Sequence, residues 1–157
     1  MDPSQWIAAF RVTHEKAKAN QLTEEQRKTY LAMREELARS LVAAQSLKVP
    51  EGENSRKYFR VAQMFKLEID RTYQTMTKEI SRAGFSAMLP KELKIGQRVG
   101  FAITLKRDLD PIGGEAKVVG AQKSGQWRID FAIDLINEAN GELLETALFD
   151  AVLARFK

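Results

Sequence analysis

Two arginines four residues apart, Arg56 and Arg60, stand in the run Ser55-Arg56-Lys57-Tyr58-Phe59-Arg60. The run follows a stretch carrying Pro50 and Gly52 and precedes residues that alternate like a strand. At such a loop-to-strand joint both guanidinium forks can turn toward one ligand. Each fork is planar and permanently charged, and it fits a phosphate or the O6/N7 edge of a guanine with two parallel hydrogen bonds. The plain alternative is a solvated basic joint, because short basic clusters are common. A second run, Glu79-Ile80-Ser81-Arg82-Ala83-Gly84, places a carboxylate and a hydroxyl two residues apart. Along a strand that spacing puts both on one face. A carboxylate can accept from guanine N1 and N2, a serine hydroxyl can make a further contact, and Gly84 permits a tight turn or a close approach to backbone. An ordinary strand–turn–strand would carry the same residues.

Composition removes most other chemistries. The chain has 157 residues and no cysteine, which excludes disulfides, thiolate zinc sites, iron–sulfur clusters and cysteine nucleophiles. The one histidine, His14, sits beside Glu15 and Lys16, and we read it as surface or helix packing rather than a ligand. Asp108 and Asp110 lie in a turn without a full calcium-loop pattern, and no GxxxxGK phosphate loop occurs. With no nucleophile–base pair visible, an enzyme is not expected. No apolar run approaches the ~20 residues of a membrane span, and the start Met1-Asp2-Pro3 lacks a secretory signal, so a cytoplasmic protein without membrane contact is expected. Tyr58 and Phe59 among basic residues invite a single-stranded nucleic-acid reading, but 25 Lys+Arg against 21 Asp+Glu, a net +4, argue against it. No cofactor or metal is expected.

The elements that must hold these residues are of two kinds. Asp2 and Pro3 open a helix, and Trp6, Phe10, Thr13 and Ala17 form one stripe on it. Thr23-Glu24-Glu25-Gln26 is a capping box, followed by Tyr30, Met33, Leu37, Leu41 and Ala44 at helical spacing. The spacing predicts an antiparallel hairpin of helices over 4–19 and 24–47. After the break at 48–54 the period becomes two. Phe65–Ile69, Val99–Leu105 and Trp127–Leu135 alternate cleanly, and weaker strands are predicted over Tyr73–Ile80, Phe85–Leu89 and Glu115–Gln122. Turns fit at 93–96, Asp110–Gly114 and 123–125. About six short strands suggest a small barrel. Leu144, Ala147, Leu148, Ala151 and Val152 then make a helix, capped by Asn137 or Asn140, whose apolar side must pack on that barrel.

Arg56-x-x-x-Arg60, a strand, then Glu79-x-Ser81-x-x-Gly84 resembles the PilZ domain family, whose pattern is RxxxR followed by (D/N)xSxxG. Ala87-Met88-Leu89-Pro90, Leu93, Gly96 and the late strand Gly125-Gln126-Trp127-Arg128-Ile129-Asp130-Phe131 extend the likeness over residues 54–156. The resemblance implies an α+β fold, a six-stranded antiparallel barrel with a C-terminal helix, here preceded by the N-terminal helical hairpin. It implies a bacterial signalling protein that binds the second messenger cyclic di-GMP. The two arginines would clamp the ligand from an N-terminal segment that closes over it, and Glu79, Ser81 and Gly84 would complete the site. Glu79 departs from the pattern: it is one methylene longer than Asp or Asn, and a poorly aligned contact costs about 1–2 kcal/mol.

The chain is thus expected to divide into a hairpin, residues 1–49, and a barrel domain, residues 50–157. Closing the Arg56/Arg60 segment would move the hairpin upstream of it. The alternative is a degenerate PilZ domain that acts by protein contacts without nucleotide. On either reading, spare apolar surface on the N-terminal helices offers a place for a homo-oligomer or a protein partner.

Overall fold

The computed structural model describes residues 2–46 and 58–156. Arg56, one of the two arginines of the motif, lies outside the described residues. By contacts the chain forms two compact units, Met1–Phe59 with Val152–Lys157, and Arg60–Ala151.

In the first unit, helix α1 spans Pro3–Lys18 and α2 spans Glu24–Ser46. Each starts where local chemistry satisfies the free N–H groups of a first turn. Asp2 accepts the Gln5 amide at 2.9 Å while Gln5 accepts the Asp2 amide at 3.1 Å, and Thr23 and Gln26 repeat the exchange at 3.2 and 2.9 Å. Asn20, in left-handed backbone with φ of 58°, turns the chain between the helices. Phe10 stacks on Trp6, His14 and Tyr30. His14 is fully buried, its Nδ1 joined to the Tyr30 hydroxyl at 2.7 Å, so it packs the hairpin rather than its surface. The Arg34 guanidinium lies 5.7 Å from the Tyr30 ring centre. A cation and an imidazole thus occupy buried positions beside the expected stripe.

The second unit is a closed antiparallel barrel. Strands β2 (Lys66–Ile69), β3 (Tyr73–Ser81), β4 (Gly84–Leu89), β5 (Arg98–Thr104), β6 (Ile112–Ser124) and β7 (Gln126–Leu135) run in the order β3-β2-β5-β6-β7-β4, and β4 pairs back with β3 to close the ring. A two-residue strand, β1 (Arg60–Val61), adds to the end of β3. Leu67, Ile69, Ile80, Leu89, Ile103 and Ile129 point inward and are essentially sealed from water, with Phe85 against Phe101 and Phe131 among them.

Three one-residue register shifts bend the strands, as closing so small a ring requires. They fall at Lys78, Val119 and Asp134. The last corrects the sequence reading of Leu135. Ile133 lies opposite Ala116 but Leu135 opposite Glu115, so the side chains change face and Leu135 emerges 61% exposed. A second correction concerns Ile112-Gly113-Gly114, expected in a turn. They begin β6 instead. A Cβ on Gly114 would strike the Leu135 carbonyl oxygen and sit 2.8 Å from the Phe101 ring, so this glycine serves strand approach rather than chain reversal.

Helix α3 (Glu138–Leu153) begins with Asn137 accepting the Asn140 amide at 2.7 Å. It rests on the barrel through Leu144 and Leu148, both buried, through Asn140 donating to the Gly113 carbonyl at 3.4 Å, and through the Arg82 guanidinium lying against Gly141.

Candidate nucleotide site on the barrel wall

The two halves of the sequence pattern meet in register. Arg60 on β1 is directly opposite Ser81 on β3, and Val61 opposite Ile80. Arg60 is thus part of a short strand rather than of the loop before one. Thr77 holds this strand end in place. It is fully buried, its hydroxyl accepts the Phe65 amide at 2.8 Å, and it donates to the Gln63 carbonyl at 2.6 Å. The link from β1 to β2 is therefore fastened to β3 one bulge away from Glu79.

That bulge also decides which way Glu79 faces. Thr77 is paired with Ala87 and Glu79 with Ser86, so Lys78 is the extra residue. Thr77 and Ile80 point into the barrel, leaving Glu79 and Ser81 outward. Beyond Glu79, the row continues through Ser86 on β4 to Asp130 on β7. Arg128, two residues before Asp130, shares its outward face.

Four charges gather there. Glu79 Oε2 is 3.4 Å from Arg60 Nη1 and 3.6 Å from Arg128 Nη2, and Arg128 Nε is 3.5 Å from Asp130 Oδ1. One carboxylate oxygen therefore serves two arginines that are far apart in sequence and come from opposite sides of β3. Two cations and two anions leave the quartet neutral, with each side chain between one-third and one-half exposed. Beneath it the Ser86 hydroxyl is buried and has no hydrogen-bond partner among the described residues, and Asp130 Oδ1 makes no hydrogen bond there either. The wall thus offers guanidinium groups and carboxylates on one face, groups that phosphate and guanine recognition use.

Ser81 and Gly84 shape the turn beside this face. Ser81 is 6% exposed, and its hydroxyl oxygen accepts the Ala83 and Gly84 amides, each at 3.1 Å, while lying 3.3 Å from the Gly84 carbonyl oxygen. The backbone that Gly84 allows to come close is that of β7: a Cβ there would strike the Phe131 carbonyl oxygen. Phe59 is buried at 5% exposure, so of the two rings between the bases only Tyr58 presents a surface. Sequence reading passed over Arg128, Asp130, Thr77 and Ser86 as site residues. The alternation of Arg128 and Asp130 with Ile129 and Phe131 shows that they face out, but only strand order brings them to Glu79. Among the described residues no three His, Cys, Asp or Glu side chains gather as a metal site would need, and no helix is long and apolar enough to cross a membrane.

Comparison with solved structures finds the same barrel. The chain superposes on the inhibitor of motility from Bacillus subtilis with a TM-score of 0.58 at 19% identity, over 68% of this chain and 57% of that one. On YcgR from Escherichia coli in complex with c-di-GMP the TM-score is 0.52 at 16% identity, over 60% of this chain and 45% of that one. On the PilZ domain of YcgR with c-di-GMP it is 0.50 at 15% identity, over 63% and 92%. The chain thus spans about half the length of the first two proteins, and at these identities the likeness is one of fold. No curated protein matches the sequence. Residues 54–150, more than half of the chain, match the family described as PilZ domain, and with the barrel and the motif in register the chain belongs to that family.

Proposed function

We propose that the chain is a non-enzymatic cyclic di-GMP receptor of bacterial signalling, taking the nucleotide on the wall formed by β1, β3, β4 and β7. The observation that carries this reading is the pairing of Arg60 opposite Ser81, which brings the arginine half of the motif against the half that holds Glu79, Ser81 and Gly84. In the proposed complex Arg56 and Arg60 clamp phosphate and guanine edges, Glu79 offers its carboxylate to the guanine N–H groups, and Ser81 with Gly84 keeps the turn that shapes the floor. Family membership and the nucleotide complexes of YcgR support the choice of ligand. The division of the chain at residues 1–49 and 50–157 belongs to the same proposal: the nucleotide engages Arg56, and this changes the state of the helices before it.

Isothermal calorimetry with cyclic di-GMP on the full chain tests the reading. We expect saturable heat at tens of micromolar, and a loss of at least tenfold in affinity for both Arg56→Ala and Arg60→Ala, since each removes a charge-assisted fork. A silent wild type sinks the nucleotide reading and leaves the module acting through protein contacts.

A further inference from the structure

We propose that Glu79 is an internal stand-in for the ligand's phosphate, holding Arg60 until the nucleotide binds, and that Arg128 is the positioning residue that draws Glu79 off when it does. The proposal rests on the nucleotide reading above and concerns how tightly that same site binds.

Three observations carry it. First, Glu79 Oε2 alone contacts both guanidinium groups, at 3.4 Å to Arg60 and 3.6 Å to Arg128. A phosphate oxygen that takes the Nη1 group of Arg60 competes with this carboxylate oxygen for that donor. Second, the reach needs glutamate. Arg60 lies on β1 and Arg128 on β7, on opposite sides of β3, and a side chain one methylene shorter ends about 1.5 Å nearer the strand. The residue that departs from the family pattern is thus the one placed to bridge. Third, Arg128 has a second carboxylate beside it, its Nε lying 3.5 Å from Asp130 Oδ1 on its own strand. It stays on β7 whether or not Arg60 moves, and gives the displaced carboxylate a cation to remain with. Without Arg128, Glu79 would have Arg60 as its only partner in the quartet and would resist the ligand more.

The test is calorimetry with cyclic di-GMP on the full-length wild type, Glu79→Gln, Arg128→Ala and the double variant, each checked for a native melting profile. Glutamine keeps the length and an acceptor oxygen for a guanine N–H but removes the charge that holds Arg60. We expect Glu79→Gln to bind about two- to fivefold more tightly than wild type, the range set by a partly exposed ion pair. Arg128→Ala should bind more weakly by a similar factor, and the double variant should match Glu79→Gln. That non-additivity distinguishes a positioning role from a structural one. Glu79→Gln binding no better than wild type overturns the proposal, and so does an Arg128→Ala loss that persists in full beside Glu79→Gln, which would mean that Arg128 touches the ligand itself. If wild type binds but the variants respond the wrong way, the latch alone is overturned. If neither wild type nor Glu79→Gln binds, the nucleotide reading fails and the latch with it.

Discussion

Thr77 shows how a single buried hydroxyl governs a surface site. It joins an amide and a carbonyl of the segment between β1 and β2, neither of which has a ladder partner to replace it. Thr77→Val keeps the shape and removes both bonds. We expect a loss of about 2–3 kcal/mol in urea denaturation, since one buried amide and one part-buried carbonyl are left unmatched, while Thr77→Ser loses less than half as much. Gly84 makes a different demand, of space alone. Gly84→Ala must move β7 off β4 to clear the Phe131 carbonyl oxygen, and should lower stability by at least about 2 kcal/mol. Substituting Gly113, whose Cβ would meet its nearest neighbour at an ordinary 3.4 Å, should cost clearly less in the same thermal melts. At this scale the motif itself was legible, because Arg60, Glu79, Ser81 and Gly84 are fixed by spacing. Arg128 was not, because the chain returns to Glu79 only after 48 residues and three intervening strands.

The elements were legible where burial is one-sided. Phe65, Leu67 and Ile69, or Ile129 and Phe131, alternate without interruption, and the strands follow. The reading failed at the bulges, since an inserted residue such as Asp134 reverses the parity without any change in residue type. It failed also where glycine has two uses: Gly113-Gly114 reads as a turn until the Phe101 ring is known to pass beneath it. The helix ends carry their own chemistry. Arg11 on α1 donates from Nη2 to the Leu153 carbonyl at 2.9 Å and to the Phe156 carbonyl at 2.7 Å, adding a charged donor at the C-terminal end of α3, where the Phe156 amide also reaches the Leu153 carbonyl at 3.1 Å. Arg11→Ala should destabilise this helical unit by about 1 kcal/mol in denaturant titrations, a pair of charge-assisted hydrogen bonds discounted for their exposure. Arg11→Lys, which keeps the charge but not the fork, should recover only part of the loss.

At the scale of the whole molecule, the question is whether the helical unit feels what the barrel binds, and the two tryptophans fall one in each unit. Trp6 stacks on Phe10 in the hairpin, and Trp127 opens β7 opposite Leu89 and Lys123. Trp127→Phe leaves a reporter of the helices, and Trp6→Phe leaves a reporter of the barrel. Ligand that binds only folded protein stabilises whatever unfolds with the site, by about 2.7 kcal/mol at a hundred times Kd. With saturating cyclic di-GMP the barrel reporter's unfolding midpoint must therefore rise. The proposed relay demands more. The helix reporter must shift as well, because binding at the barrel can change the state of the helices only if their stability is linked to it. A barrel midpoint that rises while the helix midpoint stays fixed would leave a receptor whose signal leaves by another surface. We expect both to move, the helix midpoint less, since only the coupled part of the binding energy reaches the helices.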